Sequence, residues 1–332
     1  MGIHTLYIDE SGAFKAGSDQ TLGLRLVGGV LCEGAARQHE ATLGEALREG
    51  LDWYWPPPLH ATALTSSKVR WRIRNRQDEI PWRLLPLRAG RMNRSKAKRA
   101  CDAEATRLRL GPLRASLGRV KLEVVLACEH DLEEQAQQSR YPSMLQAAIE
   151  RALWLVAERG GEQRLEVVVE RGAPGWTGIE ADEGKLRDAL APALAAIEGY
   201  RGRSSKAGGA LALGSIVTLD KNQHPGLTLA DFVLHPVGPG DRVLERWGRA
   251  DCTTWSVARL RYLLGEPGAV RIEATGPGPV TNILREWAIG TITTRDALGR
   301  LGGWRASPPQ ATLAAAAEST KNLIETLSGR QP

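Results

Sequence analysis

The sequence predicts an α/β protein whose mixed sheet is flanked by helices. Three observations predict it. Short aliphatic and β-branched runs of strand length interchange with longer amphipathic stretches of helical period. The chain opens strand, strand, helix, and later alternates strand with helix, so hairpin and crossover connections both occur. Finally, three of the strand-like runs end in an acid, Asp9, Glu170 or Asp220, at the end of the strand where α/β sheets place ligands.

Each element has its own warrant. Thr5 to Asp9 reads as a buried strand that runs into Glu10, Ser11 and Gly12. Leu22 to Cys32 reads as a second strand, with a break expected at Gly28 and Gly29 because glycine in a strand marks a bulge or bend. Ala35 to Glu49 has helical period. Val120 to Ala127 is a strand. Tyr141 to Arg159 is an amphipathic helix with Pro142 in its first turn and Gly160-Gly161 behind it. Leu165 to Val169 is a strand reaching Glu170. Ala181 to Gly199 is helical, with Pro192 expected to bend or split it. Leu211 to Leu219 is a strand ending at Asp220. Leu227 to His235 is a short helix carrying Asp231. Beyond Pro236 glycine and proline increase, and Gln310 to Leu327 reads as a terminal helix. The organisation expected is a main domain over 1–240, a basic insertion within it at 51–118, and a partly helical C-terminal extension over 241–332.

Composition narrows the class. The 332 residues are 42% hydrophobic and 25% charged, which suits a soluble globular chain. Cys32, Cys101, Cys128 and Cys252 form no C-x-x-C pair, so zinc-ribbon and thioredoxin spacings are excluded and a reducing compartment is expected. No basic segment followed by a long apolar run opens the chain, and no apolar stretch approaches the roughly 20 residues of a membrane helix. The expectation is a cytoplasmic protein with no membrane partner. The net charge of +6 favours an anionic partner, and its placement is more informative than its size. Between Lys68 and Arg99 twelve basic residues face two acids, Asp78 and Glu79. If "KVRWRIRNR" is extended, Arg70, Arg72, Arg74 and Arg76 share one side. With Lys96, Lys98 and Arg99 they are the candidate phosphate contacts, since such arrays release counterions on binding nucleic acid. Trp71 and Trp82, interleaved among them, read as packed rather than stacked on bases.

The acids carry the chemistry. Asp9, Glu170, Asp220 and Asp231 lie at strand ends or in the helix after the last strand, where one sheet could bring them together. Converging carboxylates repel and are costly to bury. A divalent cation removes that cost, and Mg²⁺ or Mn²⁺ on oxygen ligands is the apparatus of phosphoryl transfer. Asp9, Glu170 and Asp231 are the expected ligands, with Asp220 assisting catalysis. Strand alternation turns Glu10 to the face opposite Asp9, so one of the two is expected to serve structure. His60 could position a water or a phosphate, or make a structural hydrogen bond. His224, between Asp220 and Asp231, could line the same site, though a loop histidine is the favoured reading, and the other histidines show no ligand spacing.

The segments "LYIDESG" (6–12), "LVGGVLCE" (26–33), "LHATALTSS" (59–67), "YPSMLQAAIERAL" (141–153), "LEVVVERG" (165–172) and "IVTLDKNQHPGLTLADFVLHPV" (216–237) resemble, in that order, the bacterial domain of unknown function 3800 family. The resemblance spans about residues 3–240. It implies an RNase H-like fold and a metal-dependent nuclease, of a kind often found beside mobile elements or phage-defence loci. By position it assigns Asp9 to the first-strand acid, Asp231 to the acid of the last motif, and Glu170 to a strand-end acid. Asp220 and Lys221 fall on the polar pair before the last helix, and His60 matches a family histidine. Thr228 stands where glutamine is common, and Ala63 where glutamate often stands, so residues 59–64 are not expected to supply a metal ligand.

The leading expectation is a nuclease hydrolysing DNA or RNA with Mg²⁺ or Mn²⁺. Two alternatives share the fold. One is an actin-like NTP-handling enzyme, which the lack of a G-x-x-x-x-G-K-[ST] sequence disfavours. The other is a non-catalytic nucleic-acid-binding subunit. A protein partner or an oligomer is left open by the sequence.

Overall fold

The structure, a computed structural model, describes residues 1–11, 24–51, 119–130, 140–171, 179–203, 209–237 and 270–275, with isolated positions between and beyond them. Six strands form one sheet: β1 (Gly2–Ser11), β2 (Leu24–Glu33), β3 (Leu122–His130), β4 (Gln163–Glu170), β5 (Leu211–Leu219) and β6 (Val270–Thr275). Their spatial order is β5-β4-β1-β2-β3-β6. β1, β2 and β3 run antiparallel to their neighbours in turn, while β4 is parallel to β1, β5 to β4, and β6 to β3. The mixed sheet expected from the sequence is therefore present, with β1 near its middle. β6 lies in the stretch read from the sequence as a C-terminal extension, where no strand was legible.

Helices cover both faces. α1 (Ala36–Leu51) follows β2, α2 (Arg140–Ala157) joins β3 to β4, α3 (Ile179–Arg203) joins β4 to β5, and α4 (Pro225–Val237) follows β5. Alternation along β1 and β4 sorts the faces. Leu6, Ile8, Val167 and Val169 pack with Met144, Leu145, Ile149 and Leu153 of α2 in one buried core, which Leu190 and Ile197 of α3 extend. The opposite face of β1 and β2 carries α4, and α1 packs on α4. Burying these side chains, at roughly 25 cal/mol per Å² of apolar surface, makes the sheet a fixed platform.

Two expectations change. β2 is not broken at Gly28 and Gly29: its ladders to β1 and β3 run through both residues. Gly29 serves packing instead. A Cβ on Gly29 would overlap the Tyr7 carbonyl oxygen and sit 2.7 Å from Ala230 Cβ of α4, so the helix needs the bare backbone. α3 is not split at Pro192 but runs from Ile179 to Arg203 as one helix. Leu186, Leu190, Ala193 and Ile197 are buried along one side of it, and that packing holds the helix through the lost hydrogen bond.

The ribbon Arg70, Arg72, Arg74 and Arg76, together with Lys98 and Arg99, lies outside the described residues, and so does most of the expected terminal helix. Lys96 is described: it is exposed, and its backbone N–H donates to Asn93 Oδ1 at 2.9 Å. Among the described residues, no helix is long and apolar enough to cross a membrane.

Candidate functional site

Asp9 is placed by register. The parallel ladder of β1 and β4 ends at the pair Ile8–Val169, both turned to the α2 core. Asp9 and Glu170 follow as the next residues of the two strands, and alternation turns both to the α4 face. α4 supplies Asp231. The helix begins at Pro225, whose fixed φ suits a first turn, and it is almost wholly apolar. Leu227, Ala230, Val233 and Leu234 are buried, so the helix lies flat on β1 and β2 and Asp231 is carried to the strand ends. Gly226 sets the approach: a Cβ there would come within 2.6 Å of the Tyr7 ring.

Between β5 and α4 the chain makes a single 3-10 turn (Lys221–Gln223). It directs Lys221 inward. The Lys221 ammonium nitrogen is 2.9 Å from Asp9 Oδ2, 3.0 Å from Glu170 Oε2 and 3.5 Å from Asp231 Oδ1. It also donates to His60 Nδ1 at 3.2 Å. The side chain is 6% exposed, against 3% for Asp9 and 14% for Glu170 and Asp231, so this is a buried charge cluster rather than a surface ion pair. Asp231 Oδ2 accepts from the Ala61 backbone N–H at 2.6 Å. His60 and Ala61 thus join the site, one through its ring and the other through its backbone.

Electrostatics follow from burial. Desolvation pushes the Asp9 carboxyl up to about 8, a hydrogen bond shared with Glu170 adds to the rise, and Lys221 opposes it. Glu10 is likewise pushed up to about 8, by burial first and then by Asp9. Asp231 is raised, again by burial and by Asp9. Burial alone would lower the Lys221 ammonium, but Asp9, Asp231 and Glu170 together hold it above its ordinary range. One ammonium therefore serves several carboxylates that burial keeps short of compensating charge.

Glu10 corrects the sequence reading. Alternation does turn it from Asp9, yet carboxylate oxygens of Asp9, Glu10 and Glu170 all lie within 4.8 Å of one another. The reason is its position. The β4 ladder stops at Ile8, so nothing in that ladder separates the two faces beyond it, and a glutamate is long enough to come round the strand end. Its backbone N–H donates to Asp9 Oδ1 at 2.7 Å, which fixes the Asp9 carboxylate. Glu10 Oε2 is buried and accepts no hydrogen bond from the described residues. Such an oxygen is costly unless a cation meets it. An all-oxygen donor set this close, with one buried oxygen unmatched, fits Mg²⁺ or Mn²⁺.

Asp220 stands apart. It is half exposed and pairs with Arg171, Asp220 Oδ1 lying 3.6 Å from Arg171 Nε. Its backbone N–H donates to Gln223 Oε1 at 2.7 Å, closing the 3-10 turn. Its service to the site is to shape the turn that carries Lys221, and the structure does not bring its carboxylate to the cluster. The sequence reading named Lys221 only as half of a polar pair. The signal for more was its place, the one Lys or Arg between residues 211 and 237, lying between Asp220 and Asp231.

His224 is also more than a loop residue. It is buried, its Nε2–H donates to Ala36 O at 3.0 Å, and its Nδ1 accepts from Gly226 N at 3.0 Å. The Tyr7 hydroxyl donates to His39 Nδ1 at 3.1 Å, and His39 Nε2–H donates to Glu33 O at 2.8 Å. Burial lowers both histidines and outweighs the hydrogen bonds to the Glu33 and Ala36 carbonyls, which act the other way. The network ties α1 and α4 to β1 just behind Asp9. No protein-family profile matches the chain, and neither does any curated protein or solved structure.

Proposed function

We propose that the protein is a divalent-metal-dependent nuclease of RNase H-like fold. The observation that carries the reading is the meeting of Asp9, Glu170 and Asp231, from β1, β4 and α4, around one buried ammonium at the strand ends, with Glu10 close to Asp9 and Glu170. The strand order supports the fold assignment: three antiparallel strands, continued on the β1 side by two parallel strands reached through helices. The ordered motifs that resemble the domain of unknown function 3800 family point the same way.

Asp9, Glu10 and Glu170 would hold Mg²⁺ or Mn²⁺, which when bound supplies positive charge against the phosphodiester oxygens. Lys221 presents a second positive charge a hydrogen bond away from Asp9 and Glu170. In the reaction, water adds to phosphorus and one bridging P–O bond breaks, leaving a phosphate monoester and an alcohol. His60 is exposed beside Lys221 and so stands where a substrate phosphate could be met. The basic stretch from Lys68 to Arg99 would hold the strand.

The test is cleavage of end-labelled DNA and RNA with Mg²⁺ or Mn²⁺, wild type beside Asp9→Ala. Cleavage that depends on metal and is lost in the variant is expected. Cleavage that persists in chelator or in Asp9→Ala sinks the site. ATP turnover without strand cleavage would move the chain to the actin-like alternative.

A further inference from the structure

We infer that Lys221 is the site's resident second cation: the carboxylates take a single divalent ion, on Asp9, Glu10 and Glu170, while the Lys221 ammonium holds the place that a second ion fills in two-metal phosphoryl-transfer sites. The inference rests on the nuclease reading and deepens it. Two-metal sites hold their ions about 3.5–4 Å apart, each balanced by shared carboxylates. In this site the carboxylates divide into two groups. Asp9, Glu10 and Glu170 have oxygens close enough to converge on one ion, and Asp231 is not among them. Both oxygens of Asp231 are engaged elsewhere: Oδ2 accepts from Ala61 N at 2.6 Å, and Oδ1 faces Lys221 at 3.5 Å.

The lysine is built in rather than passing by. Its ammonium pairs with Asp9 and Glu170 at 2.9 and 3.0 Å and donates to His60 Nδ1 at 3.2 Å. Its backbone is fixed in the turn that the Asp220–Gln223 contacts close. Two oxygens of the cluster are buried without a hydrogen-bond donor among the described residues: Asp9 Oδ2, which Lys221 faces at 2.9 Å, and Glu10 Oε2. Glu10 Oε2 is buried without a partner among the described residues, and Glu10 is the one acid of the four that makes no ion pair with Lys221 there. The demand for a further cation is therefore at Glu10, and the demand at Asp231 is already met by lysine.

Mn²⁺ titration of the full chain, with bound ions counted from the loss of the free Mn²⁺ resonance signal, tests this. The wild type should bind one ion. Asp231→Asn should still bind one, with less than a threefold change in affinity, whereas Glu10→Gln should lose at least tenfold. Lys221→Met should admit a second ion. Two ions in the wild type, or loss of the ion in Asp231→Asn, overturns the inference. If Lys221→Met does not fold, the wild-type count and the Asp231→Asn and Glu10→Gln pair still decide. Cleavage separates the two claims. Two ions in a wild type that cuts nucleic acid overturn this inference and leave the nuclease reading standing. One ion in a protein that cuts neither DNA nor RNA leaves the inference and sinks the nuclease reading.

Discussion

Asp9 and Glu10 are neighbours in the chain, buried together, and both hold their protons up to about pH 8. Their folded values lie above the unfolded ones, so the folded state binds the extra protons between about pH 4 and 8. Their contribution to stability is therefore full at the acid end and lost as the pH rises through 8. Lys221, held above its ordinary value, contributes stability that stays constant across this window and is lost only at higher pH. Glu10→Gln should accordingly melt a few degrees above the wild type in chelator at pH 8, with the gap narrowing toward pH 5, as read by calorimetry. A divalent ion must displace the same protons. Its affinity should rise with pH by up to about tenfold per unit for each proton displaced and level off above about pH 8. A flat profile between pH 6 and 8 would remove these two carboxylates from the ligand set. At this scale Asp9 was readable in the sequence because it follows a buried strand and precedes Ser11 and Gly12. Glu10 was not, because alternation gives the direction of a Cβ and says nothing of how far a glutamate reaches once the neighbouring strand has ended.

At the scale of elements, α4 is the piece that completes the site, and its seat depends on two bare backbones. Gly29→Ala would drive a Cβ into the Tyr7 carbonyl and Ala230, lifting α4 and Asp231 with it. A loss of about 2–4 kcal/mol in denaturant titration is expected, with weaker Mn²⁺ binding in the fraction that folds. Unchanged stability would show that α4 does not need this contact. Tyr7→Phe removes the hydroxyl from His39 and leaves a buried ring nitrogen without its donor, so roughly 1–2 kcal/mol should be lost. The strands and helices themselves were legible from periodicity. The role of Gly29 was not, because a glycine that permits close packing and a glycine that breaks a strand look alike until the partner helix is known. Pro192 misled for a related reason, since the buried side of α3 outweighs a local propensity.

Across the whole molecule, charge is divided. The stretch 68–99 carries twelve basic residues and two acids, so the remainder of the chain has a small acidic excess despite the net +6. Replacing Arg70, Arg72, Arg74 and Arg76 with glutamine should weaken nucleic-acid binding uniformly across sequences. The slope of log K against log salt should fall by about 3 units, and a change below 1 would take these arginines off the phosphates. Sequence marked this stretch by density alone, and marked the acids by their strand ends, but it could not say that one lysine would stand among them. That depends on a turn of three residues between β5 and α4.

The order in which the site's residues leave the ribosome has a consequence of its own. Asp9 and Glu10 are made first, Glu170 much later, and Lys221 and Asp231 last of the five. A nascent chain that has reached only β4 holds three crowded carboxylates and neither the lysine nor the helix that organises them. A product cut short before α4 therefore lacks Asp231, and the cluster is complete only once about seven tenths of the 332 residues have been made.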